Sequence, residues 1–481
     1  MRVRLFFFLS FLSLVFPIRS TAQQVSDGNQ NLPPFGGFSG SDFDTVSLQN
    51  GNVHIHIPIL SVKQRHGTVA RAFVYDTPSF TLTKTVTVVL GHRYTQYTVD
   101  RNFLLFGWHL ANEGDSGSWG INPTNIQENC GSGTVGALGF YTVIGPEGVK
   151  HPLHLHTGGC LGAITTSPTF DGTGIMVDIG QTPNLITLKD GTQIHVGTQR
   201  EDANGNIMTG ATDDLGRTLF TVTNGPTTTY TSPLGKTASE PAYTNWTVTD
   251  SNGNSQTYRL DYTLLDTQTS FCGSPAASPC TNDTGGAFFP AKLTLPNAKF
   301  YQFNWVNASA AELQSIVLPT GASISYTYAN LCVGSLSTGS QDCRRGVQSR
   351  TVTQNGVSST WNYSIFPGYY ATETDPLGND TVHTFGPVVA TDGFSGSLST
   401  VETQLSQYSG SASSGLLLRK TVKDYTGEDA NPTVENVRLI RETTTLDNGS
   451  VAKTETDYEL ISNSQFSTFT RLNPTEKREY D

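Results

Sequence analysis

Through residues 44–57 polar and apolar positions alternate on both sides of Asn50-Gly51, the period of a strand with one buried face. Asn-Gly between two such runs predicts a two-residue hairpin of type I′ geometry, in which both central residues take φ > 0. Val53, Ile55 and Ile57 are the side expected to face a core. β-Branched and aromatic residues carry the pattern on through residues 71–75, 80–90 and 94–99. Helical periodicity is scarce, and residues 308–315 are the one stretch that reads as a short helix.

Further along, one turn signal recurs between apolar runs. Asp202-Ala203-Asn204-Gly205-Asn206, Asp213-Asp214-Leu215-Gly216-Arg217, Asp250-Ser251-Asn252-Gly253-Asn254 and Asp375-Pro376-Leu377-Gly378-Asn379 share the form Asp-x-x-Gly-Asn/Arg. Pro233-Leu234-Gly235-Lys236, Leu318-Pro319-Thr320-Gly321 and Asp447-Asn448-Gly449 are looser relatives. Asp bonds its own downstream amides, and Gly takes φ > 0 without a Cβ clash. The result is a succession of β-hairpins. Their unequal intervals argue against a solenoid of fixed rung length and for a loosely wound sheet. Residues 437–443 and 451–458, flanking Asp447-Asn448-Gly449, read as another hairpin with one wet face, in a segment, 419–481, where a third of the residues are charged.

Composition supports an all-β protein. Of 481 residues only 14% are charged, while 48 Gly and 23 Pro punctuate the backbone too often for long helices. The length exceeds what one core usually supports, so several domains or one extended body are expected. Residues 1–22 form a secretory signal: Arg2 and Arg4, an apolar run over 5–15, then Ser20-Thr21-Ala22 before Gln23. The run is too short for a membrane span, and no later stretch is apolar enough for one. Cleavage removes three arginines and moves the net charge from −11 to −14. Nucleic acid and anionic membranes are poor partners for such a surface. The six cysteines, all in the mature chain, read as disulfides with sequential pairing 130–160, 272–280 and 332–343, because short separations close small loops at low entropy cost.

Candidate chemistry is thin. Gly114-Asp115-Ser116-Gly117-Ser118 resembles the nucleophile segment of trypsin-like serine proteases, but no His stands in that family's context, and a Gly/Ser-rich loop is the preferred reading. Gly131-Ser132-Gly133-Thr134-Val135-Gly136 fits a dinucleotide-binding template, yet it follows Cys130 rather than an apolar strand. His54 and His56, with His151, His154 and His156, have the i, i+2 spacing that puts imidazoles on one strand face. The clusters are distant and lack a supporting carboxylate or thiol, so wet-face residues are preferred to a metal site. The Asp202 and Asp250 turns place oxygens at positions 1, 3 and 5 as calcium loops do, but lack the closing Glu. Paired carboxylates for glycoside hydrolysis would be visible only in the folded chain. The expectation is no catalytic residue, no cofactor and no metal.

The Asp-x-x-Gly-Asn/Arg turns, together with Asp44-Thr45-Val46, Asn50-Gly51-Asn52-Val53 and Ile57-Pro58-Ile59, resemble bacterial RHS/YD-repeat proteins, over residues 42–60 and the turns between 202 and 379. The resemblance implies antiparallel strands wound into a large shell that serves surface display, adhesion or encapsulation of a C-terminal toxin. Tyr-Asp itself stands at Tyr75-Asp76 and Tyr480-Asp481, without the family's core, which argues against encapsulation and toxin activity here. The expected organisation is signal peptide 1–22, N-terminal β region 23–175, YD-like hairpins 176–418 forming a partial shell, and charged terminal hairpins 419–481. The chain reads as the N-terminal piece of a larger shell, or as one whose last twenty or so residues are poorly ordered. The expected function is a secreted or cell-surface, non-enzymatic structural or interaction protein with an unknown protein or glycan partner. The alternative is a secreted carbohydrate-binding or carbohydrate-active β protein using Trp108, Trp119, Trp246, Trp305 and Trp361 as stacking platforms, although dispersed indoles more often anchor cores.

Overall fold

The computed structural model describes residues 36–481 except 42, 65–66, 78, 90–91, 102–106, 112–118, 130–134, 147–149, 158–162, 170–172, 250–252, 271–279, 283, 336–339, 388–399, 430–433 and 464–465. Residues 1–22, expected from the sequence to be a secretory signal, lie outside them. The described chain is all-β, with five sheets and no helix. The largest sheet has nineteen strands. It runs from Thr221–Asn224 through mostly antiparallel neighbours to Phe466–Tyr480, and it includes the hairpin Ser79–Val89/His92–Arg101, whose first strand pairs with Ser340–Gln354 and whose second pairs in parallel with Cys280–Thr281. It is not closed into a barrel.

The recurrent turn is one structure used repeatedly. In Asp375–Asn379, Oδ1 of Asp375 accepts from the amides of Leu377 and Asn379, both at 2.8 Å, and Oδ2 accepts from Asn379 Nδ2 at 2.9 Å. Asp202 and Asp213 repeat these bonds. Gly378 stands at φ +84°, where any side chain would be strained.

Phe38–Gly40, Asp44–Ser47, Val53–Gln64, Gly67–Asp76 and Trp108–Ala111 form a five-stranded sheet on the apolar face of the large one. Val46, Leu48, Val53, Ile55, Ile57, Phe73 and Tyr75 share a core cluster with Leu260, Leu293, Phe303, Ile316, Ile324 and Val347 of the large sheet. The hairpin predicted at Asn50-Gly51 exists, with Val46 opposite Val53, but its turn differs. The Ser47 amide bonds the carbonyl of Asn52, and the Gly51 amide bonds that of Ser47, so four residues form the loop and only Gly51 has φ > 0. The tip is buried: its backbone carbonyls at Gly51 and Gln49 accept from the amides of Val347 and Gly368 in the large sheet. A two-residue turn would leave these partners unmatched.

Residues 308–315 are not helical. Ala308 and Ala311 take φ of 52° and 62°, and the Ala308 amide bonds the carbonyl of Asp266. The segment forms a tight loop over Tyr75, whose hydroxyl donates to the carbonyl of Ala311 at 3.2 Å, and then enters the strand Leu313–Val317.

Between the two regions lies a seven-stranded meander from Thr166–Pro168 to Thr212–Asp213. Val177, Ile186 and Ile194, the middle residues of their three-residue strands, are opposite one another in register and buried with Val143, Leu153 and Leu155. The sequence boundary at 175 falls inside this meander. The last residues form the strand Phe466–Tyr480, paired with Val451–Asn463; Arg478 reaches Asp457 with two bonds of 2.6 and 3.0 Å.

Candidate functional site

A buried ion pair lies where the entry hairpin meets the large sheet. Asp44, fully buried, receives a two-pronged contact from Arg350, Nε to Oδ2 at 2.5 Å and Nη2 to Oδ1 at 2.8 Å. Tyr326 donates its hydroxyl to Oδ2 at 2.8 Å, Ser41 donates to Oδ1, and the guanidinium lies 5.3 Å from the Trp361 ring. Burial pushes the Asp44 carboxyl up, but Arg350 with the hydroxyls of Ser41 and Tyr326 more than offsets this and holds it below its ordinary value. Next to it, Ser39 donates to Glu373 at 2.6 Å.

A second cluster lies under Gly37. His383 Nδ1 is 2.6 Å from Glu402 Oε1, and Lys423 bonds the other oxygen. A Cβ at Gly37 would stand 2.7 Å from His383 Nδ1, so glycine there lets the incoming chain pass over the pair. Burial raises the Glu402 carboxyl, and the bonds from His383 and Lys423 bring it below its usual range. His383 Nε2 is buried without a partner.

A third set fastens the hairpin to its own sheet. Asp76 Oδ1 accepts from Asn52 Nδ2 at 2.6 Å and lies 3.1 Å from His54 Nδ1, while the Thr77 amide donates to Asn52 Oδ1 at 2.7 Å. His54 thus serves the hairpin. His151 lies in a different, three-stranded sheet. Among the described residues no group of three or more His, Cys, Asp or Glu side chains is placed to hold a metal. Ser116, Gly131 to Thr134 and Asp250 lie outside the described residues. Asp202 directs its oxygens at its own turn amides.

The tryptophans pack against cores, with Trp305 also bordering a groove. Trp246 is buried, Trp108 donates to the carbonyl of Phe288 at 2.9 Å, Trp305 to that of Pro290 at 2.6 Å, and Trp361 packs against the core beneath Arg350. Trp119 is half-buried against the meander core.

The outward face of the large sheet has a different chemistry. Hydroxyl pairs cross neighbouring strands, as at Thr327–Ser349 (2.7 Å), Thr351–Thr360 (2.8 Å) and Thr247–Thr257 (3.0 Å). Two shallow grooves lie on it. One, of about 570 Å³, is lined by Gln302, Asn304, Trp305, Gln314 and Ser315. The other, of about 290 Å³, is lined by Gln348, Asn362, Ser364, Thr372 and Thr374, with Tyr363 beneath. That tyrosine is the sole ionisable side chain lining either groove. Sequence reading missed both grooves and the exposed aromatics Phe366, Tyr369 and Tyr370 beside the second; Pro367-Gly368, a turn signal flanked by aromatics, was the one local clue.

No protein-family model matches the chain, and no curated protein matches it. The chain is similar in structure to the Tc holotoxin pore of Photorhabdus luminescens at 10% identity and a TM-score of 0.17, over 85% of this chain and 21% of that one. It thus spans about a fifth of that chain's length, and a likeness of this size carries no argument.

Proposed function

We propose that the chain is an exported, non-enzymatic β scaffold of the RHS/YD-repeat kind, a structural or interaction protein whose partner is a protein or glycan at the cell surface. One observation carries the reading. The buried carboxylate Asp44 pairs with Arg350 and locks the entry hairpin onto the large sheet, and Glu402 is held by His383 and Lys423 within that sheet, while the open grooves offer amides and hydroxyls without an acid, base or nucleophile pair. The identical Asp-x-x-Gly turns support the RHS/YD resemblance. Expression of the full chain in a bacterial host tests the compartment: the protein is expected outside the cytosol with Gln23 at its N-terminus, and retention inside with residues 1–22 intact would contradict it. Peptide and ester hydrolysis by the purified protein is expected to be absent, and Ser116→Ala to change nothing. A hydrolytic activity abolished by that substitution would replace this reading with an enzyme.

Export also bears on the cysteines. In the hairpin joining Ser323–Ser335 to Ser340–Gln354, Cys332 and Cys343 are directly opposite, a backbone separation of about 4.5–5.5 Å that a disulfide bridges. Alkylation without reduction, followed by mass spectrometry, is expected to leave both cysteines unlabelled. Labelling of both in exported protein would refute the bridge.

A further inference from the structure

We infer that the outward face of the hairpin Val357–Phe366/Tyr370–Thr374 is a binding site for neutral oligosaccharides; this deepens the scaffold reading above by naming the chemistry of its partner. Three observations converge on this strip. Phe366, Tyr369 and Tyr370 are 48%, 61% and 50% exposed, and their rings form one cluster, with Phe366 5.0 Å from Tyr369 and 5.6 Å from Tyr370. A cross-strand aromatic pair stabilises a hairpin end, but that accounts for Phe366 and Tyr370 and not for Tyr369, the most exposed of the three. The same face then continues in register from the aromatic pair through Ser364 opposite Thr372 to Asn362 opposite Thr374. At about 3.4 Å per residue the four steps from Phe366 to Asn362 cover roughly 14 Å.

Along that length the polar groups stand ready for a ligand. Gln348, Asn362, Ser364 and Thr372 line the groove, and among the described residues none has a side-chain hydrogen-bond partner. The nearby carboxylates already have partners: Glu373 accepts from Ser39 beneath the sheet, and the buried Asp380 accepts from the groove residue Thr374 and from the Ala412 amide. An aromatic surface beside uncharged donors and acceptors on a rigid sheet matches a pyranose, whose ring presents an apolar C–H face and a rim of hydroxyls. A nucleotide, an acidic glycan or a charged peptide would find no counter-charge among the groove residues. The paired carboxylates that glycoside hydrolysis needs are also missing from the groove lining, so the site is one of binding.

The test uses the full exported chain on an array of neutral and anionic glycans, followed by calorimetric titration with cellohexaose, laminarihexaose and mannohexaose. Binding to neutral glycans is expected, weakened on the order of tenfold or more by Tyr369→Ala/Tyr370→Ala and by Asn362→Asp. Leu377→Ala, at an exposed turn outside the strip, is expected to leave it unchanged. All three variants alter exposed side chains and are expected to melt with the parent protein, which separates loss of the site from loss of the fold. Absence of neutral-glycan binding, preference for anionic glycans, or binding indifferent to these substitutions would each overturn the inference and leave the scaffold reading standing. Release of new reducing ends from a bound oligosaccharide would do the reverse: the site would stand and the non-enzymatic reading would fall.

Discussion

Gly51→Val is expected to destabilise the protein by roughly 3–5 kcal/mol, combining left-handed strain at a β-branched residue with overpacking. Gly51 has φ +76°, and a Cβ there would lie 2.4 Å from Leu331 Cδ1 and 3.1 Å from the Cα of Gly346. Leu331 Cδ1 occupies the space a side chain at Gly51 would need, and the Gly346 backbone bounds that space. Gly378 provides the control: its φ is +84°, but nothing lies within 4 Å of a Cβ placed there. Gly378→Ala should therefore cost only about 1–2 kcal/mol of backbone strain, and Gly51→Ala distinctly more. Urea midpoints of the three variants check the ordering. Equal losses at the two sites would mean that the hairpin tip is not packed into the large sheet.

Breaking the Asp44–Arg350 pair should have an effect of similar size. Asp44→Ala leaves a guanidinium that is nearly buried without its partner, which costs about 3–5 kcal/mol. Asp44→Leu combined with Arg350→Met is expected to recover much of that loss, because a well-packed apolar pair avoids the desolvation of two charges. The pair also gives stability a pH dependence of known sign. The Asp44 carboxyl is held below its ordinary value in the folded chain, so its contribution is complete above the unfolded value of about 3.9 and is lost as pH falls through the lower folded value. Asp44→Asn should flatten the acid limb of a stability–pH curve in that window. An unaltered acid limb would remove Asp44 from the set of groups that hold the fold.

The elements legible in the sequence were those whose cause is local. An aspartate that caps its own turn needs residues no more than four positions away, so Asp202, Asp213 and Asp375 announce their turns wherever the chain goes. Alternation likewise identified Val53, Ile55 and Ile57 as core residues, all of which are buried. Contacts set by the wound sheet were not legible. Asp44 meets Arg350 across 306 positions, and no periodicity links them. The Asn50-Gly51 turn was misread for the same reason, since its shape follows from Val347 and Gly368. The meander escaped because strands of three residues bury one side chain each and leave no alternation to count. At 308–315 the propensity of alanine for helix lost to bonds with Asp266 and Tyr75. The outward strip was hidden too, because sequence reading sought tryptophan platforms, whereas the indoles anchor the core.

The account rests on the entry hairpin and the large sheet forming a single cooperative unit, with charge chemistry inside and recognition outside. Native-state hydrogen exchange on the parent protein and on Gly51→Val measures this directly. Amides in residues 44–57 and in the strands Leu313–Val317 to Val357–Phe366 are expected to share high protection in the parent and to lose it together in the variant. Loss confined to residues 44–57, with the large sheet as protected as before, would contradict it.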